Sequence, residues 1–377
     1  MTPEKTVFVT KPYLPPLEEM LPYIKKIWDR RILSNSGPFH RDFEQALCDY
    51  LGVNHISVFC NGTVSLVTAL RALKVSGEVI TTPFSFVATS HALLWNNVSP
   101  VFVDIEEKSL NISPSAIEEA ITEKTTAILP VHCYGHPCKV NEIQKIANKY
   151  NLKVIYDAAH AFGVECEFGS VLSAGDLSSL SFHATKVFNT FEGGAIVCPN
   201  EETKHYLDQL KNFGHEGEDS VLSTGINGKM SEFNAALGIL QLDKIDEVIA
   251  GRRKVDELYR DRLREVDGIY CLEATEERIS NYSYFPILVK PEYPVNRDVL
   301  CEELKAIGVH PRKYFHPLIS DFPMYRDLPS ANPSNLPVAS EVAKQILCLP
   351  IYHDLEIGTI EMITNYISNK ANTSKFS

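Results

Sequence analysis

The sequence predicts an α/β protein: a large domain on a mostly parallel seven-stranded sheet, then a smaller C-terminal α/β domain. Three observations lead there. Between residues 55 and 199, short apolar runs rich in Val and Ile alternate with helical stretches, the pattern of a parallel sheet covered on both faces. Near residue 235 this alternation gives way to a long, charged helical stretch. The chain has 377 residues, 44% apolar and 22% charged, which is about two average domains of ordinary globular composition.

An N-terminal arm leads into the sheet. The predicted strands are His55–Cys60, Glu78–Thr82, Pro100–Asp104, Ala127–Val131, Lys153–Asp157, Leu177–Phe182 and Gly194–Cys198. Each is short and bounded by turn residues, as buried strands are. Predicted helices include Thr63–Leu73 and Lys139–Tyr150, the latter with Ile143, Ile146 and Ala147 on one face. Asn234–Tyr270 reads as a long helix interrupted at Ile249-Ala250-Gly251, which places a boundary near residue 250. The expected domains are therefore 1–250 and 251–377. Within the second, Ser283–Val289 reads as a strand and Arg297–Ile307 as a helix. A Pro-rich loop over Pro311–Pro337 and a helix over Ile357–Asn369 follow.

Charge and cysteine content exclude several classes. Net charge is −12, from 36 Lys and Arg against 48 Asp and Glu, which lacks the basic footprint of a nucleic-acid binder. No apolar run approaches the ~20 residues of a membrane helix, and the first residues lack the apolar core of a secretory signal. Nine cysteines are scattered from Cys48 to Cys348 with no Cys-x-x-Cys pair, as expected of thiols in a reducing cytoplasm. His132, Cys133 and His136 fit no standard ligand spacing, so no metal is expected. No Gly-x-Gly-x-x-Gly follows a predicted strand, which counts against a nucleotide-binding oxidoreductase.

Three clusters fall at the C-terminal ends of predicted strands, the edge where open parallel sheets bind ligands. Cys60-Asn61-Gly62-Thr63 is a strand end, a glycine turn and a helix start. Its free N–H groups and helix dipole suit a phosphate, although the same residues could simply cap the helix. Asp157 directly follows an apolar strand; it is either a turn residue or the acidic partner of a cationic ring nitrogen. Lys186 lies among Phe182, Val187, Phe188 and Phe191. There it is either a lysine reaching to the surface or one whose lowered pKa makes it an amine nucleophile. Together, a phosphate cradle, a ring-nitrogen acid and an apolar-set lysine are the parts that hold pyridoxal phosphate. Phe86 could cover the ring face or simply fill the core.

Those residues carry a resemblance. The chain is similar to the DegT/DnrJ/StrS sugar aminotransferases, a family of fold-type I pyridoxal-phosphate enzymes with the aspartate aminotransferase architecture. The match includes Ser36–Phe39 with Phe43, Gly62-Thr63, Leu66, Ala69-Leu70 and Pro83–Ala88. It continues through Pro100–Asp104, Asp157-Ala158-Ala159, Ser181–Lys186, Glu192–Gly194, Gly225–Glu232 and Tyr314–Pro317. The resemblance implies that Lys186 carries the cofactor, Asp157 partners the pyridine nitrogen, and Gly62, Thr63 and Ser181 cradle the phosphate. It places Phe86 on the ring face and His160 beside the cofactor hydroxyl. Asn227 would reach the phosphate from a neighbouring subunit, so the site would be shared across a homodimer. His183, Lys229, Tyr314 and His316 would meet the substrate.

Two positions depart from the family pattern. His160 stands where Gln is frequent, which keeps a donor but makes its charge depend on pH. Lys229 stands where many members carry Arg, so a bidentate contact becomes a point charge. Retention of Lys186 argues for transamination. The resemblance implies L-glutamate as amino donor and a nucleotide-linked 6-deoxy-ketohexose as acceptor, in surface-polysaccharide sugar synthesis. Thr10–Pro16 and His160 are most similar to enzymes that aminate C4 of a dTDP-4-keto-6-deoxyglucose; amination of a dTDP-3-keto sugar at C3 is the alternative.

Overall fold

The structure is a computed structural model that describes residues 6–273 and 278–373. Its main sheet has seven strands: β1 (His55–Phe59), β2 (Glu78–Thr81), β3 (Ser99–Phe102), β4 (Thr125–Leu129), β5 (Lys153–Asp157), β6 (Leu177–Ser181) and β7 (Gly194–Cys198). The spatial order is β1-β7-β6-β5-β4-β2-β3. Only β7 runs antiparallel to its neighbours. Strand residues alternate between two apolar layers. Val154 and Tyr156 join one core, while Ile155 between them joins the other. A sheet buried on both faces needs such continuous apolar strands.

Helices α1 (Leu17–Arg30), α2 (Pro38–Leu51), α3 (Gly62–Ala72), α4 (Ala88–Trp95), α5 (Val140–Tyr150), α6 (Glu232–Leu242) and α7 (Ile245–Leu263) clothe this sheet or leave it. The N-terminal arm thus holds two helices that strand-centred reading missed. The first residues of α2 are fixed from far away: Phe39 and His40 N–H groups donate to the Glu232 carboxylate at 3.0 and 2.9 Å.

The break in the long helical stretch falls at Asp243–Lys244, not at Ile249–Gly251. Gly251 lies inside α7 because a Cβ there would stand 2.5 Å from the His353 carbonyl oxygen. That glycine serves close packing, a role local sequence does not distinguish from helix breaking. The helix also ends at Leu263, short of Tyr270, which lies in strand β8 (Ile269–Cys271). Ile245 and Val248 of α7 pack in the main core, whereas Val255, Tyr259 and Leu263 pack in a second one. That second core covers an antiparallel sheet of β8, β9 (Phe285–Val289) and β10 (Ile346–Leu349), with β9 central. Val7 also joins it, where Val7–Phe8 pairs in parallel with Val309–His310. The Pro-rich stretch forms short 3-10 turns and the helix Pro337–Gln345.

Candidate active site

A cleft of about 570 Å³ opens at the C-terminal edge of β1, β5 and β6. It brings together Gly62, Thr63, Phe86, Asp157, His160, Ser181, His183, Lys186 and Tyr314, nine of the residues singled out from the sequence. Three others lie outside it. Asn227 is exposed, and pairs with Asn212 across an isolated bridge. Lys229 donates to Asn212 Oδ1 at 3.0 Å and lies over the Phe213 ring. His316 is exposed and does not line the cleft.

At one end, β1 delivers the chain into α3. Asn61 caps the helix by accepting the Val64 N–H at 2.8 Å, and its carbonyl accepts from Ser65 N–H. The N–H groups of Gly62 and Thr63, first in the helix, have no intrahelical acceptor. They face a cleft beside Ser181 and the positive end of the helix dipole, the arrangement that binds a phosphate. Glycine is required at 62: a Cβ would lie 2.8 Å from the Ser181 Cβ.

At the other end, Asp157 terminates β5 with 5% exposure. Its Oδ1 accepts the Ala159 N–H at 3.1 Å and its Oδ2 accepts the Thr89 hydroxyl at 2.7 Å. Burial raises its pKa, against which these two donors and Lys186 act. Burial also brings Lys186 down to about 8, opposed by Asp157. The lysine is thus close to the state in which its amine is uncharged and nucleophilic.

His160 is set by the backbone. Its Nδ1 accepts the Tyr134 N–H at 3.2 Å, which leaves the ring proton on Nε2. Phe315 stacks on the ring and Tyr284 meets it edge-on. Burial, aided by Lys186, holds His160 well below its ordinary pKa. The expected charge change near neutral pH is therefore corrected: His160 stays a neutral donor.

The cleft also holds residues to which the sequence reading gave no site role: Ser85, Glu192 and Phe315, which lie within the matching motifs, and Tyr284, with Thr89 just behind Asp157. Thr89 follows Phe86 by three residues, but no local signal shows that it turns onto a carboxylate 68 positions away.

These parts fit pyridoxal phosphate. Free N–H groups beside a residue that must be glycine suit the phosphate. A buried carboxylate suits the ring nitrogen, and Phe86, 59% exposed at the cleft, offers an open aromatic face. Lys186 supplies the amine. Fold and site together define a pyridoxal-phosphate-dependent aminotransferase.

Comparison with known proteins narrows the class. The chain belongs to the DegT/DnrJ/EryC1/StrS aminotransferase family, whose profile matches residues 17–368. It is 53% identical over 364 residues to a dTDP-4-amino-4,6-dideoxy-D-glucose transaminase of Shigella dysenteriae, covering 97% of this chain and 99% of that one. The protein of the same name from Escherichia coli is 53% identical over 368 residues, with 97% and 99% coverage. Among solved structures, DesI in the presence of its TDP-sugar product superposes with a TM-score of 0.93 at 33% identity, covering 98% of this chain and 93% of that one.

Proposed function

We propose that this chain transfers an amino group from L-glutamate to C4 of a dTDP-4-keto-6-deoxyglucose. The observation that carries the reading is the 53% identity, across nearly all of both chains, to transaminases named for a dTDP-4-amino-4,6-dideoxy-D-glucose product. Those names favour C4 over the C3 alternative. We place the enzyme in the cytoplasm, in the synthesis of sugars for surface polysaccharide. Its nine cysteines are scattered with no Cys-x-x-Cys pair, and no helix among the described residues is long and apolar enough to cross a membrane.

In this reading, residues 1–250 form the cofactor-binding domain and 251–377 the smaller one. The cofactor supplies an electron sink that lets a carbon bearing the amino group lose its proton. Gly62, Thr63 and Ser181 would hold the phosphate, and Phe86 would cover the ring. Asp157 keeps the ring nitrogen protonated; an adjacent opposite charge typically shifts such a pKa by ~1–3 units. His160, whose Nδ1 accepts from Tyr134, would offer its Nε2 proton to the ring's hydroxyl oxygen. Lys186, with its pKa lowered to about 8 by burial, would take the proton from the donor's α-carbon and deliver one to C4 of the sugar. His183 and Tyr314 meet the sugar nucleotide from within the same cleft.

Asn227 would reach the phosphate of the neighbouring site in a homodimer, and Lys229, two residues along the same chain, would approach the substrate there. Large apolar side chains exposed at Leu17, Leu21, Trp28 and Leu33, and the stacked pair Phe191–Phe233, support a second copy there. The test is incubation with L-glutamate and each of the 4-keto and 3-keto dTDP-sugars, with products identified by mass and NMR. Amination at C4 alone is expected, and amination only of the 3-keto isomer overturns the reading. Sedimentation addresses assembly: a fully active monomer would exclude a shared site.

A further inference from the structure

Helix α4 contributes a residue to the site that the sequence pattern did not mark. Thr89 is fully buried, and its Oγ1 stands 2.7 Å from Asp157 Oδ2 and 2.8 Å from Ser85 Oγ. A hydroxyl has one proton to give and two lone pairs to accept with. Since an ionised Asp157 can only accept, Thr89 donates to it, and Ser85 then donates to Thr89. The three form a directed chain, Ser85 to Thr89 to Asp157, which ends on the carboxylate that faces the cleft. Hydrogen bonds in such a chain polarise and strengthen one another.

The same turn carries Phe86 at the cleft and returns Thr89 behind Asp157, with the Thr89 N–H donating to the Phe86 carbonyl at 3.2 Å. One short segment thus governs a ring-facing side chain and the support of the buried acid. Of the two donors to the carboxylate among the described residues, the Ala159 N–H is on Oδ1 and belongs to the same turn as the acid. Thr89 alone of the two reaches it from another element.

We propose that Thr89, relayed by Ser85, is a positioning residue that keeps Asp157 ionised and aimed, and so sets the protonation of the cofactor's ring nitrogen. This rests on the aminotransferase reading above. Removing the Thr89 hydroxyl leaves a buried carboxylate with one protein donor fewer. The proton shared between acid and ring then shifts toward the acid, and the ring becomes a weaker electron sink. The reacting groups themselves stay in place.

The experiment reconstitutes the apoprotein with pyridoxal phosphate labelled with 15N in the ring, and reads the ring-nitrogen chemical shift beside steady-state kinetics. Thr89→Val removes the hydroxyl at nearly constant shape. Its resonance is expected to move toward the unprotonated position, with kcat falling roughly 10- to 100-fold, as for loss of one hydrogen bond to a charged group. Thr89→Ser keeps the donor and should restore both. Ser85→Ala tests the relay without touching Thr89 and should move the resonance the same way by less, so the proposal stays exposed if Thr89→Val does not fold. A wild-type resonance in folded, coloured Thr89→Val overturns the proposal and leaves the aminotransferase reading standing. If Thr89→Val does not fold, a wild-type resonance in Ser85→Ala does the same. A wild-type protein that takes up no pyridoxal phosphate overturns that reading, and the proposal with it.

Discussion

Gly62 and Ser181 come from opposite ends of the main sequence pattern, yet their α-carbons leave no room for a side chain between them: a Cβ on Gly62 would lie 3.1 Å from the Ser181 Cα and Oγ as well as 2.8 Å from its Cβ. Two strand ends have been drawn together around a space for an anion. Gly62→Ala should fold but push Ser181 or the α3 start aside. Overpacking of this kind costs about 1–3 kcal/mol, so cofactor affinity should fall roughly 10- to 100-fold. Titrating the apoprotein with pyridoxal phosphate measures it; unchanged affinity would show that Gly62 is not part of the cradle.

Lys186→Ala should leave the fold intact and reduce turnover by at least about 10²–10⁴-fold, the range assigned to a lost proton-transfer group. Single-turnover kinetics with L-glutamate provide the check. Substantial remaining turnover would assign the proton transfers to another group.

Capture of the cofactor by the apoprotein should depend on pH through the same lysine. Its pKa is lowered to about 8 by burial, so below that value most of the population is ammonium and cannot attack. The rate of colour development should rise with pH and level off above about 8. An inflection that remained near the ordinary lysine value would contradict the buried setting of Lys186.

His160→Gln should retain most activity, because both side chains present a donor. Since burial already holds His160 neutral, the pH–rate profiles of wild type and variant should coincide between about pH 6 and 7, where an exposed histidine would titrate. A limb in that range present in wild type and absent from the variant would restore a charged role for His160.

A stability prediction concerns Lys211, buried beneath the chain that carries Asn227 and Lys229. Its Nζ contacts Asp208 Oδ1 at 2.6 Å and Glu44 Oε1 at 3.2 Å and donates to Ser57 Oγ at 2.9 Å. Lys211→Met removes one of the two cations on these carboxylates, with Lys204 still 2.6 Å from Asp208 and 3.0 Å from Glu44, and should cost about 1.5–3 kcal/mol, as for loss of a hydrogen bond to a charged group, measured by denaturant unfolding. Burial raises the Asp208 pKa, but Lys211 and Lys204 outweigh it and bring it to about 2. A depressed acid contributes stability above its unfolded pKa of roughly 4 and loses it as pH falls toward 2. That acid-limb loss should shrink in Lys211→Met; an identical limb would remove Lys211 as its cause.

Much of this protein was legible in sequence because its chemistry sits where local patterns end. The seven strands read as short apolar runs because both sheet faces are buried. Gly62, Asp157 and Lys186 stand at or just past strand ends, where a turn or an unexpected charge is visible without coordinates. Other features depend on distance along the chain and leave no local trace. Gly251 reads as a helix breaker, yet it is a helical residue pressed against His353. Glu232 starts α2 from nearly 200 residues away, a contact with no nearby signal, although Pro38 and Gly52 mark that helix's two ends locally.

The sequence by itself determined the fold class and the parallel sheet, and it marked the phosphate-type turn, Lys186 and Asp157 as candidates. These follow from periodicity and residue chemistry, which act over a few positions. Only the tertiary structure decided that Thr89 supports Asp157, that His160 is locked neutral by Tyr134 and its aromatic neighbours, and that Asn227, Lys229 and His316 stay outside the cleft of their own chain. Such facts depend on which side chains burial brings within hydrogen-bond range, and burial is a property of the folded whole.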